Sequence, residues 1–481
     1  MADTLFFSRD SEVFIKIGSD VWQMPVLDGF SFSQATNTSE ITLNEMSDAS
    51  GNSRRGRQMF TDSYAPAEWS FATYARPYLS AGGGDQASGH HHAVEEVLWA
   101  LMVGDASYST ASSGGAIASL SGISTFTALG NANKLGADAT FDVDTETDGG
   151  GSGAQITLSY VESSGAITAA LHSTNRGSGY AATDKLFISR EEIANALGVT
   201  LSAIVTSLSD NDFEATVATI ASTTGTTFTG FTRDGTDLDI SFANSNKTTL
   251  GTAEIFFVMG KTGAKKVYKI TDCVVNEASL DFDIDGIATI NWSGFGSLIT
   301  DDGATPPTVT VTDEGYAHTV TNNFIRNRLT NLELAGDANS QTTYDVVLTG
   351  GNVTISNNIT FLTPESLGIV NQPIGHVTGT RSVTGSFTCY LNTDSNSSAD
   401  LFNNIIEDTD QVTNVFDLTF NVGGASGLPR LELFMTQCHL EVPTHSTDDV
   451  ISVEANFHAL PTTIDGTNEL AIKYVGKSLT A

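Results

Sequence analysis

The two ends of this chain repeat each other in order, and that order constrains the fold more than any single motif. Val26-Leu27-Asp28-Gly29 returns as Val347-Leu348-Thr349-Gly350, 321 residues later. Ser70-Phe71-Ala72-Thr73-Tyr74 returns as Ser386-Phe387-Thr388-Cys389-Tyr390 at an offset of 316, whereas Cys273 is answered by Cys438 at an offset of only 165. Just before the two cysteines, Ile255-Phe256-Phe257-Val258-Met259-Gly260 is matched by Leu418-Thr419-Phe420-Asn421-Val422-Gly423. An offset that drops by 151 while the motif order holds means a duplicated unit whose first copy contains an insertion. Duplication within one chain also predicts quasi-symmetry, because two similar units can take equivalent places in a ring.

Composition bounds the class. The chain has 481 residues, of which 45 are Gly and only 16% are charged, which favours many short strands joined by turns over helical bundles. With 56 acids against 22 bases the net charge is −34, so the molecule as a whole repels phosphate and tight nucleic-acid binding is disfavoured. Three cysteines, Cys273, Cys389 and Cys438, cannot make a disulfide framework and read as small buried hydrophobes. The start, Met1-Ala2-Asp3-Thr4-Leu5-Phe6-Phe7, has no basic region or apolar run of signal length, so the expectation is a chain made and folded in cytoplasm. No stretch approaches the ~18 apolar residues of a membrane helix, and no membrane partner is expected.

Along the chain, Glu12–Ile17 and Val21–Met24 flank Gly18-Ser19-Asp20 as a hairpin would. Residues 47–62 read as a polar loop with Arg54, Arg55 and Arg57, followed by a strand from Glu68 to Tyr74. His92–Val103 reads as an amphipathic helix. Residues 135–225 read as a small module with a short helix from Arg190 to Leu197, stopped by Gly198. Strands are expected at 254–259, 267–270, 279–284 and 288–292, then at 415–422, 431–441 and 450–459, with a helix at 398–407. The fold class is therefore mainly β. The domains are 1–104 with 251–305, an insertion over 105–250, and 306–481.

No constellation of catalytic or cofactor residues stands out. Met259-Gly260-Lys261-Thr262 looks like the end of a phosphate loop, but Ile255 stands where the first glycine should be, and a hairpin turn is the expectation. Asp281-Phe282-Asp283-Ile284-Asp285-Gly286 mimics a calcium loop, but Trp292 occupies the place of its acidic twelfth ligand. Alternation there instead puts Phe282 and Ile284 inward and Asp281, Asp283 and Asp285 on the opposite face. His90-His91-His92 reads as a solvated lead-in to the helix, and Asp142, Asp144, Glu146 and Asp148 as a solvated strand edge. Arg54, Arg55 and Arg57 form the densest basic cluster, suited to pairing with acids of a neighbouring subunit or to solvation. No cofactor or metal is expected, and no enzymatic role.

Residues 30–45, together with Ser53-Arg54-Arg55-Gly56 and Phe60–Phe71, resemble the major tail tube proteins of long, flexible-tailed bacteriophages. The likeness continues through Gly350–Pro364 and Pro443–Val450, and it covers both repeated units but not the insertion. It points to the kind in which one chain carries two tube domains and forms trimeric, pseudo-hexameric rings. The resemblance implies two tandem β-sandwich or barrel units, each with a flanking α-helix, joined edge to edge around a lumen. The rings would stack into a virion tube for genomic DNA and the tape-measure protein, bounded by tail terminator and tail-tip proteins. This chain departs from that kind in carrying its extra domain inside the first unit.

The physics agrees. Sheet edges are reactive, and ring closure pairs them. A close charge pair is worth about 1 kcal/mol or more, so a cationic lumen would trap DNA, whereas carboxylates let it slide. Asp281, Asp283 and Asp285 are the candidate lumen residues, and Arg54, Arg55 and Arg57 the candidate inter-subunit or inter-ring loop. Two other classes compete: a secreted surface-layer or adhesin protein, which needs a signal peptide, and a polysaccharide-active enzyme, which needs a cleft of carboxylates and aromatics.

Overall fold

In a computed structural model, the structure describes residues 6–41, 49–52, 58–80, 90–104, 107–108, 116–208, 210, 212–220, 228, 230–234, 237–242, 248–260, 265–311, 323–336, 343–407, 415–424, 428–447 and 450–475. The chain is mainly β, as expected, and divides into two compact units. One comprises Met1–Gly84, Ser88–Ser109 and Thr226–Ala481; the other comprises Asp85–Ala87 and Thr110–Gly225.

In the larger unit the first copy opens with the hairpin β1 (Glu12–Ile17) and β2 (Asp20–Met24). It turns on Gly18 at φ 60°, a conformation glycine takes without Cβ strain at the first central position of a tight hairpin turn. β3 (Ser31–Glu40), β4 (Met59–Tyr74) and α1 (Glu96–Val103) follow. After the insertion come β5 (Ala253–Met259), β6 (Lys266–Asp283), β7 (Thr289–Gly296) and β8 (Ile299–Asp301). The second copy runs β9 (Asn331–Ala335), β10 (Thr343–Tyr344), β11 (Leu348–Ser356), β12 (Ser382–Tyr390) and α2 (Ser398–Glu407). It ends with β13 (Phe416–Gly423), β14 (Arg430–Leu440), β15 (Thr444–Thr447), β16 (Ile451–Ala459) and β17 (Ala471–Val475).

The antiparallel ladders repeat as the motifs do. β1 pairs with β5 as β9 does with β13; β3 with β4 as β11 with β12; β4 with β7 as β12 with β16. Even an irregularity is shared. The ladder shifts between Ala253 and Ile255, with Cys273 opposite Ala253, and again between Phe416 and Leu418, with Cys438 opposite Phe416. All three cysteines are buried and unbridged.

Packing differs between the copies in a compensated way. Trp69 faces Gly294 across β4 and β7, and a Cβ on Gly294 would lie 2.6 Å from the Trp69 ring. At the matching pair Gly385 faces Phe457, and a Cβ on Gly385 would lie 2.6 Å from the Phe457 ring. The large and small partners have exchanged strands. Close packing tolerates such swaps when total volume is kept.

Several expectations need correction. The two strands expected at 267–270 and 279–284 are one, β6, which bends through Asp272 at φ 51° and ends at Asp283. Ile284, expected inward, is 46% exposed, because the chain turns there toward Gly286 at φ 119°. The helix starts at Glu96 and is buried on every side, not amphipathic, since Val97 through Val103 are apolar without interruption. His91 and His92, expected to be solvated, are buried in a short strand, His91–Ala93, paired with Pro77–Leu79. Strands Thr232–Asp234 and Asp237–Ser241, expected in the insertion, extend the larger unit's sheet, with Leu238 opposite Tyr474.

The smaller unit has its own core, including Ile156, Leu158, Ile193 and Phe213, between a three-stranded and a four-stranded sheet. Its helix, Arg190–Leu197, starts at a Ser189–Glu192 capping box and ends at Gly198 with φ 65°.

Candidate assembly interface

One strand, β6, has partners on both sides. Val274–Asp281 pair with β7, while Glu277–Asp283 pair antiparallel with β11 of the second copy, from Glu277 opposite Ser356 to Asp283 opposite Gly350. This joint fuses the sheets of the two copies. Its inner face holds Ala278, Leu280, Phe282, Val353 and Ile355, all buried, and the Phe282 ring stacks on Phe420 at 5.2 Å. On its polar face Ser279 Oγ and Thr354 Oγ1 are 3.2 Å apart, and Asp281 and Asp283 are exposed beside them.

The repeat identifies the mates of these two strands. At the cysteine offset of 165, Ser279 corresponds to Thr444 and Leu280 to His445, which places β15 in the role of the end of β6. β15 pairs with β16, Thr444 opposite Glu454, as β6 does with β7. At the offset of 321, Asn352 corresponds to Ser31, so β3 stands in the role of β11. Among the described residues, β15 pairs with no strand but β16, and β3 with none but β4. All four residues of β15 are exposed, as are most of β3. A sheet edge of this kind is a template for pairing with another chain.

The sequence-predicted residues fall around the joint unevenly. Asp281 and Asp283 share the polar face of β6, whereas Asp285 lies in the following turn, where Arg328 Nη1 approaches its Oδ1 at 3.3 Å. Both members of that ion pair are largely exposed, so it contributes little to stability. Arg54, Arg55 and Arg57 lie outside the described residues. In the smaller unit the acidic run is divided among separate partners: Thr157 Oγ1 donates to Asp142, Gln155 Nε2 to Asp144 and the Lys185 amide to Asp148. Among the described residues, no group of three His, Cys, Asp or Glu side chains could hold a metal ion.

Sequence reading missed a buried polar network at the start of α1. Glu95 accepts hydrogen bonds from Tyr474 Oη at 2.6 Å and from the Arg76 amide at 3.2 Å, and Trp99 Nε1 donates to Tyr474 Oη at 2.7 Å. Burial pushes the Glu95 carboxyl up to about 7, although the hydrogen bonds from Tyr474 and Arg76 oppose the shift. Nearby, His92 Nδ1 lies 3.1 Å from Glu96 and His91 Nδ1 lies 2.7 Å from Asp237. The only hint in the sequence is the pair of adjacent acids in an otherwise apolar stretch, Glu95 and Glu96.

The copies of this duplicated β chain are thus joined strand to strand, and among the described residues the matching strands, β15 and β3, pair with no strand beyond β16 and β4. No family model matches the chain. It is similar to tail tube protein pb6 of Escherichia phage T5, with 33% identity over 245 residues. The match covers 50% of this chain and 51% of the relative, so the chain spans about half the length of the curated relative it matches. This likeness bears out the resemblance to tail tube proteins of long-tailed phages. No helix among the described residues is long and apolar enough to cross a membrane.

Proposed function

We propose that the protein is a non-enzymatic virion component that polymerises as stacked trimeric rings into a tail tube conducting DNA toward the host. The β6–β11 joint carries this reading: one chain already links two tube units by their sheet edges and keeps the same pair of edges, β15 and β3, for other chains. An interface of this head-to-tail kind closes into a ring when its rotation divides a full turn. With two units per chain, three chains give six units around a bore. Asp281, Asp283 and Asp285 are proposed to line or border that bore, where carboxylates repel phosphate and leave the genome and the tape-measure protein free to slide. The Arg54–Arg55–Arg57 loop is proposed to meet acids of a neighbouring subunit or ring, with terminator and tip proteins at the tube ends. The inserted unit is read as facing away from the bore, since a folded domain inside it would obstruct DNA.

Negative-stain images of the purified protein test the reading. Rings or hollow tubes are expected; a protein that stays monomeric at high concentration would contradict it.

A further inference from the structure

We infer that rings close through one defined strand joint, β15 of one chain on β3 of the next, in the register of the internal β6–β11 joint. This rests on the ring reading above and goes beyond it by fixing which residues meet. Inside the chain Ser279 faces Thr354, Leu280 faces Val353 and Phe282 faces Gly351. Carrying each strand over by its own offset sets Thr444 against Ser33, His445 against Phe32 and Thr447 against Phe30 of the neighbouring copy.

Side-chain size supports that register. In the internal joint the bulky partner is Phe282, laid over Gly351, where a Cβ would come within 2.6 Å of the Ser386 carbonyl. In the joint between chains the bulk lies on the opposite strand. Phe30 takes the place of Gly351 and already stacks on Phe257 at 5.3 Å, while the incoming residue is the small Thr447. Phe257 in turn corresponds to Phe420, the ring on which Phe282 stacks in the internal joint. The chain makes the same exchange at Trp69/Gly294 and Gly385/Phe457, so a large–small swap across paired strands is its own way of keeping volume while the copies diverge. The other positions fit as well. His445 packs edge-on against Phe402 of α2 at 4.8 Å, on the inner face where Leu280 is buried in the first copy. Thr444 and Ser33 carry hydroxyls where Ser279 and Thr354 meet at 3.2 Å. Phe30 and Phe32 are held on the inner face by Phe257, so a slip of one residue would set His445 against Ser33 and Thr447 against Ser31, on the opposite face.

Paired cysteines read the register directly. Oxidised tubes of the Ser33→Cys/Thr444→Cys protein should yield covalent trimers on denaturing gels. Ser31→Cys/Thr444→Cys should yield about tenfold less, because a diagonal pair sits roughly 7–8 Å apart rather than about 5 Å. The three native cysteines are buried and leave the assay clear. A second test uses volume: Thr447→Phe alone should block ring formation by crowding Phe30, and adding Phe30→Gly should restore it. Rings that form normally but give no in-register cross-link, or a double variant no better than Thr447→Phe, would overturn the register and leave the ring reading standing. Failure of the unaltered protein to form rings would overturn the ring reading itself.

Discussion

The two helices hold matching places in the two copies but lie in different surroundings. Every residue of α1 is buried, packed against β6 and the strand Asp237–Ser241, and the second copy adds polar contacts: Tyr474 of β17 reaches Glu95 and Trp99, and Asn357 Nδ2 donates to the Met102 carbonyl at 2.9 Å. In α2, Asn403, Asn404 and Ile406 are exposed, with Ile406 at 48%. Second-copy residues help to cover α1, while part of α2 is left without cover among the described residues. On the ring reading, a neighbouring chain supplies that cover, so the contrast between α1 and α2 measures what assembly adds.

The sharpest way to break the comparison is to truncate matched residues in the made joint and the open one. Phe282→Ala should lower the stability of the isolated chain by about 3–5 kcal/mol, the usual cost of emptying a buried aromatic site. Thr447→Ala, at the corresponding exposed position, should change it by less than about 0.5 kcal/mol. Urea denaturation of both variants decides this. Equal losses would mean that β15 is not an open edge.

The next effect belongs to the first copy alone. With its folded value near 7 against an ordinary 4.5, Glu95 keeps its proton in the folded chain over a range where the unfolded chain has lost it. Stability should therefore fall by about 3 kcal/mol as pH rises from about 4.5 to about 7, then level off. Glu95→Gln should flatten that part of the profile in thermal melts at stepped pH. The start of α2 carries Ser397 and Ser398 in place of buried acids, so no matching slope is expected from the second copy.

How much of this was legible in sequence depended on where the deciding contacts lie. The repeat was legible because offsets survive divergence, and the bounds of 190–197 and 398–407 because helix ends carry local signals, such as Ser189, Glu192 and Gly198. The continuity of β6 was not, since Thr271-Asp272-Cys273 reads as a break and only the ladder shows a bulge. α1 and His91 meet Tyr474, Asn357 and Asp237, all more than 100 residues away, while His92 is held by Tyr78 and Glu96 through a strand pairing that the sequence did not signal. That β15 and β3 are edges among the described residues was invisible for a deeper reason: being an edge is a property of what a strand is not paired with.

Smaller effects follow from surface changes. Replacing Asp281, Asp283 and Asp285 together with Lys should leave tubes intact, because all three are exposed, but slow genome passage, while Asn should act more mildly. Triple-Lys phage that eject DNA normally would remove these acids from the bore. The least effect on assembly is expected from joining Ser109 to Thr226 through a short Gly/Ser linker, which removes the smaller unit and spares the strand that pairs with β17. A deletion running from Gly104 to Gly251 would take that strand as well and should weaken the fold, as a thermal melt would show.

The central claim is that one chain supplies two equivalent places in a ring and that the internal joint is the pattern for the joints between chains. A cryo-EM cross-section of the tube tests it most directly. The account predicts three chains per ring, six tube units at near-equal spacing, and β15 lying antiparallel to β3 of the next chain. Six complete chains per ring, or a ring in which β15 and β3 face solvent, would contradict it.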